Sequence, residues 1–113
     1  MKGKKDLPFW LTGREASARA PFARVSKTLL TDPAFRALTP TAQHVYLCMT
    51  VEAAKNRRFA FTRKTAAQYG IPARSLLRAV HDLTAAGFIA AESGRTTREA
   101  NIYQFLLQWK AGT

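Results

Sequence analysis

The stretch Ala66–Val80, AAQYGIPARSLLRAV, reads as helix on both sides of a sharp interruption. Gly70 is suited to end the first helix, because glycine accepts the positive φ that helix termini use. Ile71 is expected to pack inward at the turn, and Pro72 fixes the backbone ahead of Ala73, where the second helix is predicted to begin. That helix, ARSLLRAVHDLTAA, runs on to a stop at Gly87. On a helical wheel, Leu76, Leu77, Val80 and Leu83 cluster in a stripe of roughly 120°. Arg74, Arg78, His81 and Ala85 fall opposite. Ala79 and Ala85 would let a ligand approach the backbone closely. A helix serving only the core has no use for two guanidiniums one turn apart on its outer side.

Upstream, Thr62 is placed to cap RKTAAQY. Arg63 and Lys64 then stand in the first turn, where cations oppose the helix dipole by about 0.3–1 kcal/mol. A phosphate partner explains them better than helix stability does. RRFAF is a strand candidate with Phe59 and Phe61 on one side. Before it, Thr39-Pro40 opens PTAQHVYLCMTVEAAKN, a helix of about four turns with Pro40 at its first position. Ala42, Val45, Tyr46, Met49 and Ala53 share one face. Leu47, Cys48 and Val51 form a second apolar face, the candidate surface for a homodimer, and His44 is expected to be partly buried. Asp32 caps DPAFRAL, and FARVSKTLL precedes it as a short packed entry segment.

Downstream, FIAAE and NIYQFLL are strand candidates joined by the polar tract SGRTTREA. The predicted order is helix, helix, strand, helix, turn, helix, strand, long loop, strand. Residues 1–21 are expected to form a flexible basic arm carrying an isolated Phe9-Trp10-Leu11 patch, residues 22–110 one domain, and residues 111–113 a short tail.

At 113 residues the chain has room for a single modest core. Its 18 Lys+Arg against 7 Asp+Glu give a net charge of +11, which calls for a polyanionic partner or else serves solubility. Lys2, Lys4 and Lys5 are not followed by an apolar run long enough for a signal peptide, and no stretch approaches a membrane span. With Cys48 as its one cysteine, the chain has no internal disulfide, so a cytoplasmic setting and no membrane association are expected. No GxxxxGK[ST], GxGxxG or HExxH occurs, and one Cys and two His supply neither a metal site nor a nucleophile–base pair. A binding protein without cofactor, metal or catalytic residues is therefore expected.

The segment from Thr62 to about Val80 resembles a helix-turn-helix: Ala66 stands where the two helices approach, Gly70 at the turn, Ile71 after it, and Leu76 as a core anchor. Followed by FIAAE, SGRTTREA and NIYQFLL, the unit Thr39–Trp109 resembles the winged-helix variant. Its long helix and the phrase GFI resemble, more loosely, DNA-binding domains of plasmid replication initiators and related mobile-element regulators. The resemblance implies a mainly α fold with a small β-hairpin wing (α+β) and double-stranded DNA as partner. Arg74 and Arg78 would read base edges from the major groove. Ser75, near the helix N-terminus, would hold a phosphate with Arg63 and Lys64.

Two readings stand for Arg95 and Arg98 at the wing tip: phosphate or minor-groove contacts, or solvated loop charges. His81 is a DNA contact or a plain surface imidazole, and Asp82 is placed to orient Arg78. Lys55, Arg57 and Arg58 read as a solvated turn. Transcriptional regulation and replication initiation fit equally, and a protein-interaction module on the same fold is the alternative.

Overall fold

The computed structural model describes residues 25–92 and 102–107. The basic arm with its Phe9-Trp10-Leu11 patch, Arg95, Arg98, Trp109 and the C-terminal tail lie outside the described residues. Five helices and three strands follow one another as α1 (Lys27–Thr31), α2 (Pro33–Arg36), α3 (Pro40–Ala53), β1 (Arg58–Ala60), α4 (Arg63–Gln68), α5 (Ala73–Ala85), β2 (Ile89–Ala91) and β3 (Ile102–Phe105). The architecture is mainly helical with a small antiparallel sheet of order β1-β3-β2, an α+β arrangement.

The helix starts follow from local chemistry. Ser26, Asp32, Thr39 and Thr62 each accept a backbone N–H of the first turn they precede, at 3.2, 2.8, 3.1 and 3.0 Å. Pro33 and Pro40 occupy the opening turns of α2 and α3, where a missing N–H is harmless. The Gln43 side-chain amide donates to the carbonyls of Phe35 and Leu38, tying the end of α2 to α3.

Two helix ends share one wiring. After α4, Gly70 N–H donates to Ala67 O and Ile71 N–H to Ala66 O. After α5, Gly87 N–H donates to Thr84 O and Phe88 N–H to Leu83 O. Gly70 and Gly87 stand at φ +77° and +83°. Each is a Schellman stop, with a buried apolar residue after the glycine set against a buried residue in the last turn. α3 ends differently. Ala54 and Lys55 take φ +52° and +74°, a left-handed conformation adopted here without a glycine. The helix consequently stops at Ala53 rather than continuing to Asn56.

The core lies between α3, α5 and the sheet. Phe61, Phe88, Met49, Leu83, Ile89 and Val45 are its largest fully buried side chains. Phe35, Tyr46 and Phe88 meet edge-to-face with centroids 5.3–6.1 Å apart, and Phe59 stacks on Phe105 at 4.5 Å. β3 runs through the middle of the sheet, Tyr103 standing between Phe59 and Ala91. Phe59 and Phe61 are both buried, as their alternation requires.

Several expectations are corrected. In the described part of the entry segment, a one-turn helix follows an exposed Val25, and Leu29 packs against the core while Leu30 is exposed. His44 is exposed rather than partly buried. The second face of α3 is not the continuous outer apolar face expected: Cys48 is buried at 6% exposure and Leu47 packs against the core, while Val51 is half-buried. Tyr69 is part of what closes this side, its hydroxyl donating to Glu52 on α3 at 2.6 Å while its ring stacks on Phe61. Burial, with that bond and the Glu52 charge, pushes the Tyr69 phenol well above its ordinary range. Burial and Glu52 likewise push the Cys48 thiol up. No helix among the described residues is long and apolar enough to cross a membrane.

Candidate nucleic-acid interface

The turn between α4 and α5 sets the outward face of α5. With the α4 end locked by the Gly70 stop, Pro72 enters α5 extended at φ −65° and ψ 153°. The Pro72 carbonyl accepts Leu76 N–H at 2.9 Å. No side chain caps this helix, and no acidic residue occupies its first turn. The leading N–H groups of α5 are therefore left to a solvent or ligand acceptor, and nothing local offsets the positive end of its dipole.

Arg74, Arg78 and His81 are all exposed, on the side away from the core, as is Ala85. Among the described residues neither arginine has a hydrogen-bond or ion-pair partner, and Asp82 makes no ion pair with Arg78. Asp82 therefore does not orient Arg78 through a direct bond. Ser75 is half-buried at the base of this face. Arg63 and Lys64 are exposed in the first turn of α4, whose Thr62 hydroxyl bonds Thr65 N–H and lies 3.1 Å from the Thr65 hydroxyl.

The core stripe of α5 is turned roughly 50° from the expected one, at 100° per residue. It consists of Leu76, Ala79 and Leu83, with Val80 at its edge. Leu77 is 73% exposed, whereas Ala79 is 1% exposed. A buried alanine lets α5 lie close against α3, and the same rotation carries Leu77 out of the core. Ala79 is thus a packing residue rather than an exposed point of backbone approach.

Two hollows flank the exposed face. One, of about 150 Å³, lies between the start of α3 and α5 and is lined by Thr39, Thr41, Arg74, Ser75, Arg78 and Asp82, with Ala79 at its base. The other, of about 510 Å³, is mostly apolar, with Arg63 and Arg74 joining Leu77, Val80 and Tyr103 in its lining. Thr41 and Leu77 are the residues that sequence reasoning missed here. Thr41 could have been found as an exposed hydroxyl in the first turn of the long helix. Leu77 could have been found only by giving the small Ala79 the weight of a core residue.

The second basic cluster is committed elsewhere. Arg58 donates two hydrogen bonds to the Glu92 carboxylate, at 2.8 and 2.9 Å, across the sheet. That bond holds the Glu92 carboxyl below its usual range. Arg57 Nε donates to Phe105 O at 3.1 Å. Lys55, at positive φ, is exposed.

No family model, curated protein or solved structure matches the chain.

Proposed function

We propose that the chain is a winged helix-turn-helix protein that binds double-stranded DNA sequence-specifically in the cytoplasm. It would serve as a transcriptional regulator or as a replication initiation factor of a plasmid or mobile element. α5 lies in the major groove, with Arg74 and Arg78 addressing base edges and His81 following them on the same face. Ser75 and the uncapped start of α5 hold one phosphate, and Arg63 and Lys64 hold its neighbours. The β2–β3 hairpin is the wing, and Arg95 and Arg98 on its connecting tract contact the flanking backbone.

The observation that carries this reading is the pair Arg74 and Arg78, without a partner among the described residues and held outward on a helix of 13 residues immediately after a locked turn. A helix of this length spans ~20 Å and fits a groove ~12 Å wide. A gel shift with random-sequence duplex DNA across a salt series tests it. Neutralising about six phosphates gives a log–log slope near −5. A flat response would favour the second reading, a protein-interaction module, which draws on the apolar hollow beside Leu77.

A further inference from the structure

The function proposed above uses the cations of α5 and leaves its one large exposed apolar side chain unexplained. Among the described residues Leu77 is the most exposed of the large hydrophobics, on a helix otherwise well anchored by Leu76, Ala79 and Leu83. Its surroundings indicate what covers it. Arg74 lies one turn before it and His81 one turn after, Arg78 follows it, and Arg63 shares the adjoining hollow. Neither hollow lining nor exposed face brings an acidic group beside Leu77. Asp82, the nearest acid on α5, lies roughly 140° around the helix.

A protein partner typically needs ~800 Å² of complementary surface on each side. The hollow that Leu77 shares with Leu76, Val80 and Tyr103 is far smaller than that, and the only charged groups lining it are Arg63 and Arg74. The same arrangement suits a single methyl group displayed among acceptors and phosphates. In duplex DNA the major-groove edge of thymine presents that group, its C5-methyl, next to an O4 acceptor.

Resting on the DNA-binding reading, we infer that Leu77 reads the C5-methyl of a thymine in the major groove, beside the bases addressed by Arg74 and Arg78. The target site then carries a required thymine next to the arginine-contacted bases. Specificity at that position comes from apolar contact rather than from a hydrogen bond.

The test starts from the duplex that wild-type protein selects out of a random pool. Each thymine is replaced singly by deoxyuridine, which removes only the methyl. At one thymine, the wild-type protein should bind about fourfold more weakly, the effect of exposing one methyl-sized apolar group. Leu77→Ala should bind the thymine duplex with the same loss and lose nothing further with deoxyuridine. Leu77→Met, which retains apolar reach, should keep the discrimination. Leu77 is exposed, so the thermal midpoint of Leu77→Ala should stay near that of the wild type, separating lost contact from lost fold.

Three results would overturn the assignment while leaving DNA binding intact. They are equal binding of every thymine and deoxyuridine duplex, independent multiplication of the two losses, and a halving of the solution mass in Leu77→Ala. The last would place Leu77 against a second copy of the chain. Failure of the pool to yield any preferred duplex would instead remove the sequence-specific reading on which the inference rests.

Discussion

Arg57 and Arg58 at the start of β1 and Arg74 and Arg78 on α5 are the same residue type, all four exposed, yet the fold treats them oppositely. The β1 pair is bonded to the protein itself, through the Phe105 carbonyl and the Glu92 carboxylate. The α5 pair has no protein partner among the described residues. An exposed guanidinium already bonded within the chain must break that bond before it can serve a ligand, whereas an unpartnered one is ready. Net charge cannot make this distinction; the placement of acceptors does. The two clusters therefore predict different responses to the same substitutions.

The largest effect lies beneath the α5 pair. The contrast depends on the rotation that buries Leu83 and exposes Leu77. Leu83→Ala should cost about 2–5 kcal/mol of stability in denaturant unfolding. Leu77→Ala should remain within about 0.5 kcal/mol. Similar losses for the two would mean that α5 sits at a different angle, and the outward placement of Arg74 and Arg78 would go with it.

Next in size is the α5 pair itself. Arg78→Ala should weaken binding to a selected duplex by about 1–3 kcal/mol if the side chain reads a base. Its thermal midpoint should hardly move. Equal weakening on all sequences would make Arg78 a phosphate contact and narrow base reading to Arg74 and its neighbours.

The turn sharpens the comparison at a smaller scale. A Cβ on Gly70 would meet nothing within 4 Å, so the requirement there is for its φ of +77° and not for space. Gly70→Ala should therefore cost about 1–2 kcal/mol through backbone conformation alone. A loss at the larger end accompanied by weaker DNA binding would show that the turn sets the pose of α5 as well as its stability. At the end of α3, where Lys55 already occupies φ +74°, the reverse substitution Lys55→Gly should raise stability by about 0.5–1 kcal/mol. A destabilised Lys55→Gly would show that its side chain makes a contribution outweighing the backbone strain.

The parts of this fold that were legible in the sequence are those decided locally. Thr39-Pro40, Thr62 and Gly70-Ile71-Pro72 each specify their own backbone, and the helix limits follow them to within a few residues. Element order and the outward set Arg74, Arg78 and His81 could be read for the same reason. What could not be read was decided by packing between elements. A wheel weights Leu77 above Ala79, but the approach of α5 to α3 selects the smaller side chain. Cys48 lies on what the period alone makes an outer face, and the chain supplies its own cover there. Glu92 stands 34 positions from Arg58, too far for any local pattern to pair them. The positive φ at Ala54 and Lys55 carries no signal at all, since neither residue favours it.

The smallest predicted difference is the most direct measure of the contrast between the clusters. Each phosphate neutralised contributes roughly 0.9 to the salt slope of DNA binding. Arg63→Ala should lower that slope by about 0.9 if the side chain holds a phosphate. Arg58→Ala should leave the slope unchanged, because its guanidinium is engaged by Glu92. The pairing itself can be watched through acid. Its hydrogen bond to Arg58 holds the Glu92 carboxyl below the ordinary carboxylate range, so the folded state favours the charged form. The contribution of the pair is in place above the unfolded-state pKa of about 4.3 and fades as pH falls through the lowered folded value. Glu92→Gln should flatten that small acid-side change and, by freeing Arg58, raise nonspecific DNA affinity slightly. If Glu92→Gln leaves the salt slope where it was, an unpaired Arg58 still does not reach DNA. Position on the molecule, rather than the engagement of the guanidinium, would then be what separates the two clusters.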